Sequence, residues 1–403
     1  MLNIYRQLIP RVNIMLINQI SALITIPWAA HKFSTEMFGF VATAIIILQF
    51  SWMIIQWGYQ HYVTEIWRDD VSKLSKNILV TQILASQIFL AFVFLVFMSL
   101  LINYSLINLP TSLFTNLILA IIFGGILPLW FFNIHMSSER LVPVTFFSRL
   151  IFLFCVFSLV NGDEDAQIFI LLHGLSFFII TSYAIWIMHV SYKFRIYLNK
   201  GLLVFNHTKR CFPFFINSIT NNQTSVLWSL FLSLGISNPF TIGLYSIAEH
   251  AYRAGGAISD TVAQVARVNL KKKSTNETLR FAKITIGIYF IFLCLGLLII
   301  KPFVMLFFND DYLPVIPILQ IMILAWFFQS CSKIMGYSTL GQIISFKAVN
   351  QLGLIFLILH ILMMCSWLFY GADLLTLTLL LLFLNFLHFL IILLGVRFPK
   401  LFF

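Results

Sequence analysis

The stretch NILVTQILASQIFLAFVFLVFMSLLI, residues 77–102, carries no charged side chain and only a few amides and hydroxyls. A helix needs about 20 predominantly apolar residues to cross the hydrocarbon layer of a bilayer, and this run exceeds that length. Eleven further stretches meet the same test. In chain order the spans run near 10–30, 37–60, 77–102, 113–133, 142–161, 166–190, 212–235, 240–266, 281–303, 313–332, 346–370 and 374–395. The eighth is the least apolar. The composition agrees with a chain solvated by lipid. Of 403 residues 60% are apolar and 10% are Asp, Glu, Lys or Arg, against roughly a quarter charged in a soluble domain. The mean hydropathy is +0.96, and 44 phenylalanines are too many for one water-facing core.

The net charge of +11 does not indicate nucleic acid. The basic residues stand in short loops between apolar spans, as membrane orientation requires. One set of loops comprises both termini and the segments near 61–76, 134–141, 191–211, 267–280 and 333–345 with their flanks. It holds 21 of the 25 Lys and Arg residues. The other set holds Lys32 and Lys301, while Arg149 and Arg253 lie inside spans. The first set is therefore expected in the cytoplasm, together with both ends of the chain. The other face carries acid at Asp163-Glu164-Asp165, Asp310-Asp311 and Asp373. The N-terminus lacks a cleavable signal pattern and reads as an uncleaved first helix. All loops are short, which leaves no room for a soluble catalytic domain. The five cysteines, Cys155, Cys211, Cys294, Cys331 and Cys365, form no CxxC pair and suggest neither a disulfide framework nor a zinc site.

Two echoes divide the chain. Ile17-Asn18-Gln19-Ile20 is answered by Ile216-Asn217-Ser218-Ile219, and Trp130-Phe131-Phe132 by Trp326-Phe327-Phe328, at offsets of 199 and 196 residues. A duplication of six helices places them so. The expected architecture is all-α and integral to the membrane: twelve helices in two six-helix pseudo-repeats, residues 1–200 and 201–403, around a central cavity. Repeats with an even number of spans run parallel, related by an axis along the membrane normal.

Charge inside a membrane is costly and marks a functional position by default. In the eighth span Glu249, Arg253, Gly256, Asp260 and Gln264 recur at helical spacing and share one stripe. Arg253 stands about 13 residues from either end, roughly 20 Å of helix, too deep to snorkel. Two readings remain open: a polar stripe lining a cavity, or a Glu249–Arg253 pair that locks the bundle. Arg149 lies about 10 Å into the fifth span. It is either a snorkelling anchor or a cavity cation. The seventh span opens with Asn217-Ser218 and Asn221-Asn222-Gln223-Thr224-Ser225, an amide run that cannot face lipid. Arg11, Asn18 and Thr25 share a face of the first span, and Gln49 and Gln56 a face of the second. These polar faces either bond helix to helix or line a shared cavity. Lys271-Lys272-Lys273 reads as a positive-inside anchor. His173, His189, His250, His360 and His388 are scattered, and His250 beside Glu249 is the one suited to a proton relay. No HExxH, GxSxG or Walker A pattern is present.

Several segments resemble the O-antigen flippases (Wzx type) of the multidrug/oligosaccharidyl-lipid/polysaccharide (MOP) superfamily. They are Gln56-Trp57-Gly58-Tyr59 with Leu74-Ser75-Lys76, Leu127-Pro128-Leu129-Trp130-Phe131-Phe132, Gly243 through Arg253-Ala254, and Asn309-Asp310-Asp311-Tyr312. The chain departs from the family at Gln56, where Asp is common, and at Asn133-Ile134-His135, where the family often continues Gln-Gly with a Glu. The resemblance implies transport of a polyprenyl-pyrophosphate-linked oligosaccharide between leaflets of a bacterial inner membrane. On that reading Arg253, Arg149 and Arg11 meet the pyrophosphate, and Glu249 and Asp260 neutralise them or bind a coupling H⁺ or Na⁺. Asn18, Gln56, Asn217, Asn221, Asn222 and Gln264 line the sugar path. No cofactor, catalysis or nucleic acid is expected. The partners are the lipid-linked substrate, membrane lipids and other polysaccharide-assembly membrane proteins. The rivals are another twelve-helix exporter, MATE-like or of the major-facilitator type, and a membrane polysaccharide polymerase or glycosyltransferase. The loop EIWRDDVSKLSK lacks the facilitators' Gly- and Arg-rich motif, and the outer loops are too short for a polymerase site.

Overall fold

A computed structural model describes residues 2–67, 72–135, 137–197, 202–219, 224–236, 238–270, 274–340, 346–371 and 373–398. The described chain is built of helices: α1 (Leu2–Lys32), α2 (Thr35–Gln56), α3 (Tyr59–Ile66), α4 (Lys73–Asn103), α5 (Thr111–Ile126), α6 (Leu129–Ile134), α7 (Val142–Leu159), α8 (Ala166–Tyr192), α9 (Leu202–Ser218), α10 (Thr224–Gly235), α11 (Pro239–Leu270), α12 (Thr275–Phe307), α13 (Val315–Lys333), α14 (Phe346–Tyr370) and α15 (Leu374–Arg397). A π-helical segment, Ile334–Leu340, continues α13. All five cysteines are free thiols.

Among the described residues ten helical segments are long and apolar enough to cross a membrane. They match every expected span except the seventh and eighth. The seventh contributes the short apolar helix α10. The eighth is the 32-residue α11, long enough to cross but too polar to pass on hydropathy. The helix starts follow local chemistry. Ser34 caps α2 by accepting from the Met37 N–H at 3.2 Å. Ser72 caps α4, Ser274 and Glu277 form a capping box on α12, and Asp373 caps α15.

The helices form two compact units by contact: residues 3–21 with 32–219, and residues 1–2 and 22–31 with 220–403. In the N-terminal unit α5 packs on α2, α4 and α8, α7 on α8, and α3 on α6 and α9. In the C-terminal unit α13 packs on α11, α12 and α15, while α10 packs on α11 and α14. Gly124 lets α5 press on α2, since a Cβ there would collide with the Trp52 indole.

Two segments differ from a plain succession of spans and loops. The fourth span breaks at Leu127–Pro128 into α5 and α6, as expected where proline supplies no N–H. The segment near 191–211 contains the first half of α9, which packs on α3 and α4 of the N-terminal unit before the chain passes to the other unit.

Candidate functional site

In the N-terminal unit the fifth-span cation is not a snorkelling anchor. Arg149 is 5% exposed. Its Nε donates to Asn18 Oδ1 at 2.8 Å and its Nη1 to Ser176 Oγ at 2.8 Å. Its guanidinium carbon lies 4.3 Å from the ring centre of Phe177 and 6.0 Å from that of Phe152. Ser148 and Ser176 are themselves held by backbone carbonyls of α8: Ser148 Oγ donates to the Ser176 carbonyl and Ser176 Oγ to that of His173, each at 2.8 Å. The guanidinium is thus positioned by neutral acceptors and aromatic faces. No carboxylate pairs with it among the described residues. A buried cation normally has an anionic partner, because its desolvation is otherwise uncompensated.

In the C-terminal unit α11 carries a ladder of buried polar groups. Tyr245 is 0% and Glu249 1% exposed. Neither the Tyr245 hydroxyl nor either Glu249 oxygen has a hydrogen-bond partner among the described residues. Arg253 Nη1 stands 3.9 Å from Glu249 Oε1, an ion pair without a hydrogen bond. His250, adjacent and buried, has Nε2 unpartnered. Buried polar groups are nearly always bonded, so four unbonded ones on three turns of helix are exceptional.

Asp260, one of the stripe residues, has a close partner. Its Oδ1 lies 2.6 Å from Lys333 Nζ, with side-chain exposures of 19% and 10%. Lys333 is counted above with the loop cations. The structure corrects this: it ends α13 and turns inward, because Asp260 on α11 attracts it. The lysine lines a cavity of about 40 Å³ with Tyr252, Gln329, His360, Asn385 and His388. His360 Nδ1 accepts from Trp228 Nε1 at 2.9 Å, which places the proton of the neutral ring on Nε2. Lys333, Asn385 and the two histidines stand on three different helices. The sequence singled out His360 and His388 only as scattered histidines; the Asn385/His388 spacing within an otherwise apolar span is a signal that could have marked the cluster.

The remaining expected residues are placed as follows. Asn18 joins Arg149. Gln56 is the last residue of α2 and is partly buried. The side chains of Arg11, Asn217 and Gln264, and all of Asn221 and Asn222, lie outside the described residues.

The Gln56-Trp57-Gly58-Tyr59 motif makes a joint. Trp57 and Gly58 are both left-handed, with φ of 40° and 72°, and separate α2 from α3. A Cβ on Gly58 would stand 2.5 Å from the Phe215 backbone nitrogen, so α9 crosses directly against it. Trp57 Nε1 donates to the Thr208 carbonyl at 2.9 Å, and its ring stacks on Phe215 with centres 4.1 Å apart. Tyr59 Oη lies 3.1 Å from Thr208 Oγ1, and Tyr62 Oη 2.9 Å from His207 Nδ1. Burial, and then the charge of Arg210, hold the His207 pKa below its ordinary value.

No family model and no curated protein matches the sequence. Solved structures do match the fold. A lipid II flippase, MurJ, in an inward closed conformation superposes with a TM-score of 0.72 at 14% identity, over 95% of this chain and 86% of that one. An inward-facing multidrug resistance MATE family transporter of the MOP superfamily gives 0.61 at 10% identity, over 94% and 98%. An outward-facing one gives 0.53 at 14% identity, over 98% and 95%. The chain shares the fold of these transporters. Arg149 and the α11 ladder belong to different units, and each unit has its own buried polar group.

Proposed function

We propose that the protein is a flippase that carries a polyprenyl-pyrophosphate-linked oligosaccharide, of the O-antigen repeat-unit kind, from the cytoplasmic to the outer leaflet of a bacterial inner membrane. The observation that carries this reading is Arg149: a buried guanidinium held by Asn18 and Ser176 with no carboxylate among the described residues. A fixed, unneutralised cation suits a substrate that brings its own negative charge, and the arginine fork suits the oxygens of a pyrophosphate. A cationic drug would be repelled there. The likeness in fold to a lipid II flippase supports the same class of cargo. Arg253, with only a loose hold on Glu249, is the second anion-binding group. Glu249 then becomes a carboxylate able to take a coupling proton or Na⁺ when substrate occupies Arg253. Alternating access proceeds by rocking of one repeat on the other.

The test is genetic and chemical. In a deletion strain lipid-linked sugar units should accumulate on the cytoplasmic leaflet while surface polysaccharide disappears. Normal surface polysaccharide in that strain would refute the proposal. Export of cationic dyes by the purified protein in vesicles, with no flipping of lipid-linked sugar, would favour the drug-exporter reading instead.

A further inference from the structure

The cavity of about 40 Å³ in the C-terminal unit holds groups that the proposed transport does not use. Its polar lining comes from four helices: Tyr252 on α11, Gln329 and Lys333 on α13, His360 on α14, and Asn385 and His388 on α15. The volume admits about three water molecules. Lys333 ends α13 on the side that the loop charges assign to the cytoplasm.

The two histidines are held differently. His360 is 6% exposed, and its Nδ1 accepts from Trp228 Nε1 at 2.9 Å. Both nitrogens of an imidazolium are donors, so this ring can be protonated only by giving up that bond. His388 is held by its face. Its ring lies over Phe356, with centres 4.3 Å apart and 34° between the planes. Face contact leaves the ring edge, and with it both nitrogens, to the cavity that His388 lines. A neutral imidazole has one nitrogen without a proton. His388 is therefore the histidine of the pair that can take up a proton with its packing intact.

The charge that such a proton meets is also set by the lining. Among the described residues the titratable groups facing His388 are Lys333 from α13, His360 from α14 and Tyr252 from α11, while the π-helical segment contributes Gly336. No lining residue is a carboxylate. Asp260 is reached through Lys333, whose Nζ lies 2.6 Å from Oδ1. A hard metal ion draws its binding energy from carboxylate and carbonyl oxygens, and here the lysine ammonium already stands on the nearby carboxylate. A proton needs only the lone pair of one imidazole. Once protonated, His388 places a second positive charge across a small, weakly screened cavity from Lys333. Asp260 balances one of the two. Because α13 packs on both α11 and α15, the repulsion acts on the contacts that join these three helices.

We propose that this cavity is a proton-binding site of the C-terminal unit, in which His388 takes a proton from cavity water and the Asp260–Lys333 pair passes the change in charge to α11. The proton adds to the free nitrogen lone pair, the ring becomes an imidazolium, and no covalent bond of the protein breaks. Calling this proton a coupling ion rests on the transporter reading; its binding does not. Binding is measured without transport, so it can fail while the flippase reading stands, and the reverse. Full-length protein labelled with nitrogen-15 histidine is placed in lipid nanodiscs, and its ring nitrogens are followed by NMR from about pH 8 to about pH 5. The signal absent from His388→Gln should change from imidazole to imidazolium over that range, and the signal absent from His360→Gln should keep its Nε2–H form. A His388 that stays neutral throughout overturns the proposal. Hydrogen exchange of the unaltered protein gives a second reading that needs no variant to fold. Relative to intrinsic rates, protection over residues 253–260 and 329–333 should fall as pH drops, by at most about tenfold per pH unit for a single proton site. His388→Gln should hold it level. Unchanged protection in the unaltered protein, or an equal fall in the His388→Gln variant, overturns the proposal as well.

Discussion

Arg149 shows how a charge is held in a helix bundle with no countercharge among the described residues. Two of its five N–H donors reach neutral oxygens and its flat face rests on Phe177. Lysine at this position would keep the charge but lose the planar face and the fixed donor directions. Arg149→Lys should therefore insert normally yet restore surface polysaccharide poorly, and Arg149→Ala should abolish it. The check is complementation of a deletion strain with membrane levels measured alongside. The Asp260–Lys333 pair behaves differently. It is a neutralised pair with little exposure, so removing one partner leaves a charge stranded. Asp260→Asn or Lys333→Gln alone should destabilise the protein by up to about 3 kcal/mol. The double substitution should recover much of that loss. Thermal unfolding of the four forms in detergent gives the coupling between the two residues.

At the scale of elements the Trp57–Gly58 joint governs α9. A side chain on Gly58 meets both an unfavourable φ of 72° and the backbone of Phe215. Gly58→Ala should cost about 1–3 kcal/mol locally and loosen α9 from α3, seen as faster hydrogen exchange over residues 207–218. His207 adds a pH dependence to the same contact. Its pKa is lowered in the folded protein, so the unfolded state binds more protons at mildly acidic pH and stability falls as pH drops below about 6.5. The protection of α9 amides, taken relative to their intrinsic exchange rates, should fall between about pH 7 and 5, and His207→Gln should flatten that response. At the other end of the chain, hydrogen bonds from Thr376 hold the Asp373 carboxyl below its ordinary pKa, so this cap persists to lower pH than a free aspartate would.

At the scale of the molecule the loop charges make a claim about direction. Single cysteines placed at Asp163 and Asp373 should react with impermeant maleimide from outside intact spheroplasts. One placed at Ser274 should react only after the membrane is opened. The reverse pattern would invert the topology.

The spans were legible in the sequence because hydropathy is a sum over local residues, and the direction expected from the loop charges is a sum of the same kind. Neither depends on which helix packs against which. The same locality explains the difficulty with α11, whose polar side chains lower its local apolarity although its length is ample. Cap residues such as Ser72 and Ser274 were equally local. What the tertiary structure decided are relations between distant residues. Arg149 and Asn18 stand 131 positions apart, so spacing could not show that one positions the other, nor whether the arginine snorkels or turns inward. Lys333 read as one loop lysine among many until Asp260 was seen beside it. The long third span, residues 77–102, shows both kinds of knowledge. Its apolar length was sufficient to place it in a membrane. That its first residue, Asn77, lines a cavity with Phe131 and Tyr192 became visible only when α6 and α8 were brought beside it.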